Sequence, residues 1–306
     1  MLRVLSLGAG VQSTCVLLMS CVGELPKLDA AVFADTQWEP KEVYKHLAWL
    51  EVEARGYGIP VLRGTSGDLR ADAIEFRQNG GKGSGLPGEK KRYASMPLYV
   101  KNPDGSVGII NRQCTSDYKI EVVDKIIRRN LMALAPRQKA PMDSQPIEHW
   151  FGISADETGR MRTSTNHWQT FCYPLINDVV SPKKDTLYGR GFDRQDCLDW
   201  MQARGYPTPP RSACIGCPFH SDEEWVRIRD NSPDEFADAV EFDRAIRLAD
   251  ASLMADANGK LAGQLVGLPY LHRSCVPLDQ VVFKVKDKHA AFVYGMANEC
   301  AGVCGV

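Results

Sequence analysis

Cys214-Ile215-Gly216-Cys217 lies in a proline-rich stretch, "PTPPRSACIGCPF". Two thiols three residues apart on such a turn can converge on one metal. The same spacing serves a redox dithiol or half of a zinc site, and structural zinc wants four protein ligands. A third candidate thiol is Cys114, preceded by Arg112 and Gln113 and followed by a helix start, a setting that favours the thiolate. His220, three residues past Cys217, reads as a packing or capping side chain rather than a ligand.

The chain has 10 cysteines. In a reducing compartment these are thiols, metal ligands or redox groups before they are disulfides. Cys15, Cys21, Cys172, Cys197 and Cys275 stand in apolar or helical contexts and read as small hydrophobes. Cys300 and Cys304 form a second close pair, in the tail "NECAGVCGV".

A different chemistry is written into "VLSLGAGVQSTCVL", residues 4–17. An apolar run stops at Gly8-Ala9-Gly10, carries hydroxyls at Ser6, Ser13 and Thr14, and turns apolar again. Small residues let the backbone approach a ligand, and a helix start offers free N–H groups and the positive end of the helix dipole to a phosphate. The loop fits neither G-x-x-x-x-G-K-[ST] nor G-x-G-x-x-G. The next apolar run ends in Asp35-Thr36, which puts a carboxylate and a hydroxyl beside that loop, where ribose hydroxyls or a base would lie. Together they point to a nucleotide. Asp156, Glu157 and Arg160 follow "WFGI" in a polar turn. Carboxylates there could hold Mg²⁺ between phosphates, and Arg160 or Arg162 could clamp an anion.

The elements that must position these groups alternate. "RVLSL", "LDAAVFADT", "IPVLRGT" and "IEHWF" read as strands. Helices are expected over "VQSTCVLLMSCVG" and "EPKEVYKHLAWLEVEARGYG", from Ser116 onward, around "RQDCLDWMQARG", after "CPFHSDEEW", and over "SPDEFADAVEFDRAIRLADASLM" with Ser232 as N-cap and Pro233 at its first position. Strands alternating with helices imply a doubly wound parallel sheet, whose ligands bind outside the carboxyl ends of the strands. Residues 79–92 are Gly-rich and basic, with Lys82, Lys90, Lys91 and Arg92, and read as a surface loop.

With 306 residues, 44% hydrophobic and a formal charge of −1, the chain can bury a sizeable core and is not a non-specific nucleic-acid coat. No stretch reaches membrane-span length, and the start runs straight into a strand, so a cytoplasmic location with no membrane partner is expected.

These landmarks resemble a known family. "SLGAGVQST" resembles the PP-loop of the adenine nucleotide alpha hydrolase-like superfamily, in the phosphoadenylylsulfate (PAPS) reductase-like variant. "VFADTQWE", "RQCTSDYKIEVVDKIIR", "GISADETGRMR", "YPLI" and "SACIGCPF" resemble its later motifs, in family order. The resemblance implies an α/β, Rossmann-like, doubly wound parallel sheet with a helical C-terminal extension: residues 1–220 as the nucleotide-binding domain, and 221–306 as the extension with its cysteine-bearing tail. It implies ATP or a related adenylyl nucleotide on Ser6, Leu7, Gly8, Gly10, Gln12, Ser13, Thr14, Asp35 and Thr36. Gln12 departs from the family pattern, which has Asp there.

Family members that insert sulfur bind a 4Fe–4S cluster through three cysteines, and Cys114, Cys214 and Cys217 match such a set. The implied activity is ATP-dependent sulfur transfer to a nucleic acid or nucleotide, with a sulfur or electron donor protein and a homodimer as further expected partners. The tail resembles the Glu-Cys-Gly end whose cysteine attacks the sulfonucleotide in PAPS reductases, although it lacks the closing histidine. Cys300, with Cys304 beside it, would then be the nucleophile of a reductase. A nucleotide-binding regulatory or defence component without chemistry is the third reading.

Overall fold

The computed structural model describes residues 1–79, 96–176, 191–248 and 267–285. In chain order the elements are β1 (Arg3–Ser6), α1 (Val11–Cys21), β2 (Ala30–Asp35), α2 (Lys41–Gly56), β3 (Val61–Thr65), α3 (Leu69–Asn79), β4 (Tyr99–Lys101) and β5 (Val107–Ile109). A helical run over 116–131, here α4, follows. It joins the π-wound turns Ser116–Ile120 and Ile127–Leu131 through the α-helical Glu121–Ile126. Then come β6 (Ile147–Phe151), β7 (Gln169–Cys172), α5 (Arg194–Ala203), α6 (Asp222–Asn231), α7 (Pro233–Ala245) and β8 (Leu268–Tyr270).

The main sheet has the order β3-β2-β1-β6-β7, and every pairing in it is parallel. The fold is therefore α/β and Rossmann-like, as the alternation of elements predicts. A strand buried on both faces needs apolar side chains on both, and "AAVFA" in β2 supplies them. One face, with Leu5, Ala31, Phe33 and Trp150, packs against α1, α2 and α5. The opposite face, with Val4, Val32, Ala34 and Ile147, packs under Val122, Val123 and Ile127 of α4.

α1 is buried at every position. It leaves the sheet from the carboxyl end of β1 and delivers its N-terminus to the edge where β2 and β6 also end. At that edge a second apolar cluster joins Trp38, Tyr118, Cys214 and Ile215 to Trp225, Phe242 and Leu271. The extension is thus stitched to the earlier chain. β8 pairs antiparallel with β4 in a small sheet of order β5-β4-β8, and Trp38 Nε1 donates to Asp238 on α7 at 2.7 Å.

Two local expectations change. Ser232 precedes α7 but its hydroxyl makes no capping hydrogen bond; the residue also ends α6, and its φ of −140° and ψ of 63° serve the reversal between the helices. The helix expected over 232–254 is described as Pro233–Ala245. The basic residues Lys82, Lys90, Lys91 and Arg92, and the tail cysteines Cys300 and Cys304, lie outside the described residues. Among the described residues no helix is long and apolar enough to cross a membrane.

Candidate functional site

The loop from Ser6 to Gly10 turns on Ala9, a buried residue held at φ = 58°. An alanine in that left-handed region is strained by about 1 kcal/mol, and here it turns the backbone between two glycines. α1 then begins at Gly10, which has no side chain to cap it, and no acidic residue occupies its first turn. The positive end of the helix is thus unopposed by a carboxylate of its own turn. Ser13 Oγ accepts from the Gly8 amide at 3.2 Å and donates to the Gly10 carbonyl at 3.4 Å, closing the loop on itself. The end of β6 lies against this turn: a Cβ on Gly152 would stand 2.5 Å from the Ser13 nitrogen, so only glycine permits the contact.

Beside the loop, between the sheet and α4, lies a cleft open to solvent. Val32, Ala34, Phe151 and Phe171 make its walls apolar, and Ser6, His149, Lys119 and Asp124 give it polar points. Ser6 Oγ is 2.8 Å from His149 Nε2, and His149 Nδ1 is 2.9 Å from Gln169 Oε1. Burial holds the His149 pKa down at about 4, so the ring is neutral at pH 7. Burial pushes the Asp124 carboxyl up to about 6, against a hydrogen bond from Gln169 and the nearby Arg128.

Gln12 is buried at the start of α1. Its Nε2 donates to Ser154 Oγ at 3.3 Å and to Glu157 Oε2 at 3.2 Å, while its Oε1 accepts from Arg194 at 3.3 Å. Arg160 donates to the same Glu157 oxygen at 2.7 Å. An aspartate could not donate to Glu157, which gives a physical reason for the amide. Asp156 is exposed in the same turn. Tyr173, of the "YPLI" motif, clasps the turn: its hydroxyl accepts from the Arg162 amide at 2.7 Å and donates to the Arg162 carbonyl at 2.5 Å.

The cysteine segment meets the loop directly. The Ser212 hydroxyl donates to the Gly8 carbonyl, and the Ile215 amide donates to the Trp38 carbonyl at 2.9 Å. A Cβ on Gly216 would fall 2.0 Å from the Trp38 ring. Cys214 Sγ is 3.3 Å from Thr36 Oγ1 and 3.5 Å from Glu39 Oε1, to which Lys119 Nζ is paired at 3.1 Å. His220 braces the turn as a packed side chain. Its Nε2 reaches the Cys214 and Ile215 carbonyls at 3.0 and 3.1 Å, and Arg211 donates to its Nδ1 at 3.0 Å. Cys114 packs on the apolar cluster that contains Cys214, and Arg112 lies over the Phe219 ring at 5.3 Å. Among the described residues no set of three or more His, Cys, Asp or Glu side chains is placed around a single metal ion.

Other expected ligand groups are placed differently. Thr14 Oγ1 is turned to His46 Nε2 at 3.1 Å, within the buried contact of α1 with α2. Asp35 Oδ1 accepts from Tyr44 and from the Gln37 amide, both at 2.7 Å. Thr36 faces Cys214. Leu7 is buried, and its amide donates to the Val32 carbonyl at 2.9 Å. Sequence reading missed His149, Gln169, Asp124, Lys119 and Glu39. For His149 a signal existed, because strand alternation in "IEHWF" puts it on the face of Ile147 and Phe151.

No family model, curated protein or solved structure matches the chain.

Proposed function

We propose that the chain is a PP-loop enzyme of the PAPS reductase-like type, an ATP-dependent sulfurtransferase acting on a nucleic acid or nucleotide. The observation that carries this reading is the junction of Ser212 with Gly8 and of Cys214 with Thr36, which seats a Cys-x-x-Cys turn against a phosphate-loop geometry. A binder of nucleotide alone has no need of thiols there.

The phosphates would lie on the backbone N–H groups of the Gly8–Ser13 turn and on the N-terminus of α1, with the nucleoside in the apolar cleft. Exposed Asp156 is the carboxylate open to a hydrated Mg²⁺, since Glu157 is engaged by Gln12 and Arg160. The acceptor oxygen attacks the α-phosphorus of ATP, pyrophosphate leaves, and sulfide then displaces AMP from the activated carbon.

Three soft thiolates suit iron–sulfur chemistry, and one ion would need its donors within about 2.3 Å of a common centre. Cys114, Cys214 and Cys217 are the residues that would hold a 4Fe–4S cluster, which takes a separate iron for each thiolate, whereas a single zinc ion needs all its donors around one centre. When bound, such a cluster supplies the sulfide. Thiols lose their protons on binding metal, and Glu39 Oε1 is the acceptor beside Cys214 Sγ. Thr36 and Lys119 also converge on that oxygen, at 3.2 and 3.1 Å.

Iron and acid-labile sulfide are to be measured on anaerobically purified protein, wild type and Cys114→Ala. About four of each per chain, with absorbance near 400 nm that the variant loses, is expected. Iron-free protein that releases sulfite from adenylyl sulfate, and stops in Cys300→Ser, would replace this reading with the reductase. ATP binding without AMP formation under any acceptor would leave the regulator.

A further inference from the structure

The turn after β8, His272-Arg273-Ser274-Cys275, closes through the Cys275 amide on the His272 carbonyl at 3.0 Å and lies against Asp222, the first residue of α6. The Ser274 amide donates to His272 Nδ1 at 3.1 Å. A backbone amide can only donate, so Nδ1 carries the lone pair and the ring proton sits on Nε2. That proton faces Asp222 Oδ1 at 3.2 Å, and the Ser274 hydroxyl, 2.7 Å from Nδ1, donates to the ring. Asp222 Oδ1 also accepts from Arg273 at 2.6 Å, and Oδ2 from the Lys284 amide at 2.7 Å. Against its burial, these donors hold the Asp222 carboxyl below the usual carboxylate range. Asp222 and His272 are buried, whereas Ser274 is exposed. None of the three lines the nucleotide cleft.

We propose that Ser274, His272 and Asp222 form a nucleophilic serine site, which takes the acyl group of a small activated ester reaching the turn from solvent. The Ser274 amide alone anchors the ring to the turn, so the hydroxyl is not needed as a brace. Ser274 Oγ attacks the ester carbonyl, and its proton passes to His272 Nδ1 as the Oγ–C bond forms. Asp222, facing the Nε2–H, stabilises the imidazolium. The bond to the leaving alkoxide then breaks, and the alkoxide departs as an alcohol with the proton from Nδ1. Water attacks the acyl-serine by the same route, releasing the carboxylic acid and restoring Ser274. Burial holds His272 below its usual pKa of 6.5, against Asp222, so at pH 7 the ring is the free base this attack requires. The charged groups around it are Asp222 of α6, Asp243 of α7 and Arg273 of its own turn.

The test treats the intact protein with a fluorophosphonate, whose phosphorus Ser274 Oγ attacks with loss of fluoride, and maps the label by peptide mass spectrometry. Labelling at Ser274 is expected in wild type and absent in Ser274→Ala. His272→Gln keeps hydrogen-bonding groups but is no base, and should slow labelling about hundredfold or more, with melting curves to verify folding. The wild-type rate should be flat near neutral pH and fall on acidification, with its midpoint below 6.5, as the ring takes a proton. Hydrolysis of p-nitrophenyl acetate reads the acyl step, and Ser274→Ala should reduce it to the rate without protein. An unlabelled Ser274 in wild type overturns the inference, as does ester hydrolysis retained in Ser274→Ala. So does equal labelling of folded His272→Gln, or, should that variant not fold, a wild-type rate independent of pH between about 5 and 8. Each of these outcomes leaves the nucleotide reading untouched.

Discussion

Gly152 and Ser13 meet so closely that a Cβ on the glycine would lie 2.5 Å from the serine nitrogen and 2.7 Å from its Cα. Both obstacles are backbone, so no side-chain rotation relieves them. Gly152→Ala is expected to push the start of α1 off the end of β6, at about 1–3 kcal/mol of stability. ATP affinity should fall with it by tenfold or more, because the N–H groups of that turn move. Thermal melting and nucleotide titration check both; an unchanged melting temperature refutes the close contact.

Gln12 donates to Glu157 and accepts from Arg194 across a buried junction. Gln12→Glu keeps the size but sets two carboxylates against each other, and should lower stability by about 1–3 kcal/mol. The loss should shrink in the double variant with Glu157→Gln, which restores a donor. A double-mutant cycle by chemical denaturation reads the coupling; strictly additive losses would mean the two side chains do not interact.

Burial holds three histidines far below their usual pKa of 6.5, His46 and His149 at about 4 and His220 at about 3, and lowers His272 as well. Each stays neutral in the folded chain at pH values where the unfolded chain binds a proton, so stability rises with pH between about 4 and 6.5 and is lost on acidification. Each contributes a slope approaching 1.4 kcal/mol per pH unit well below 6.5. Asp124, raised to about 6, has the opposite sign between about 4 and 6 and offsets one of the three. The midpoint of urea denaturation should therefore fall from pH 7 to pH 5, and His46→Gln should flatten the fall. A midpoint constant over that range would contradict the buried neutral rings.

Asp243, fully buried on α7, accepts from the Leu271 and Leu278 amides, each at 2.9 Å, and from Arg247 at 2.5 Å. It is the hook that holds residues 267–285 against the helix. Asp243→Ala orphans two amides and a half-buried guanidinium, a loss of about 3–5 kcal/mol. Limited proteolysis should then cut first within 267–285; a wild-type digestion pattern would show that the other contacts, the β4–β8 pairing and the Asp222 bonds to His272, Arg273 and the Lys284 amide among them, retain the segment without it.

The parallel sheet and the placement of the loop were legible in the sequence because they follow from alternation and from small residues at one turn. "VLSLGAG" specifies strand, sharp turn and helix locally, and "VFADT" specifies where the second strand stops. The antiparallel sheet was not legible. Its strands are three residues long, and the partner of β4 lies far downstream, so no window of sequence holds both. β7 escaped for a similar reason: four residues, "QTFC", carry too short an alternation, and Gln169 stayed hidden with it.

At the site, chemistry was legible by residue type but not by allegiance. Asp35 sits at the carboxyl edge as read, yet the Tyr44 hydroxyl, brought round by α2, occupies its carboxylate. Glu157 was read as a metal carboxylate, while Gln12 and Arg160 converge on it. In each case the competing partner arrives from another element, which spacing along the chain does not encode. Cys214 is the converse: its motif was plain, but the carboxylate of Glu39 beside it carried no motif.

Tyr99 pairs with Tyr270, and that register has a consequence for synthesis. More than half the chain's length separates the two residues, so on the ribosome β4 emerges long before the strand that completes its sheet. The cluster holding Cys214, Trp225, Phe242 and Leu271 likewise closes only after Leu271 is made. The parallel sheet can form first, since its strands end at residue 172. The thiol-bearing wall is therefore the last part to close, and loop-closure entropy makes that the slow step.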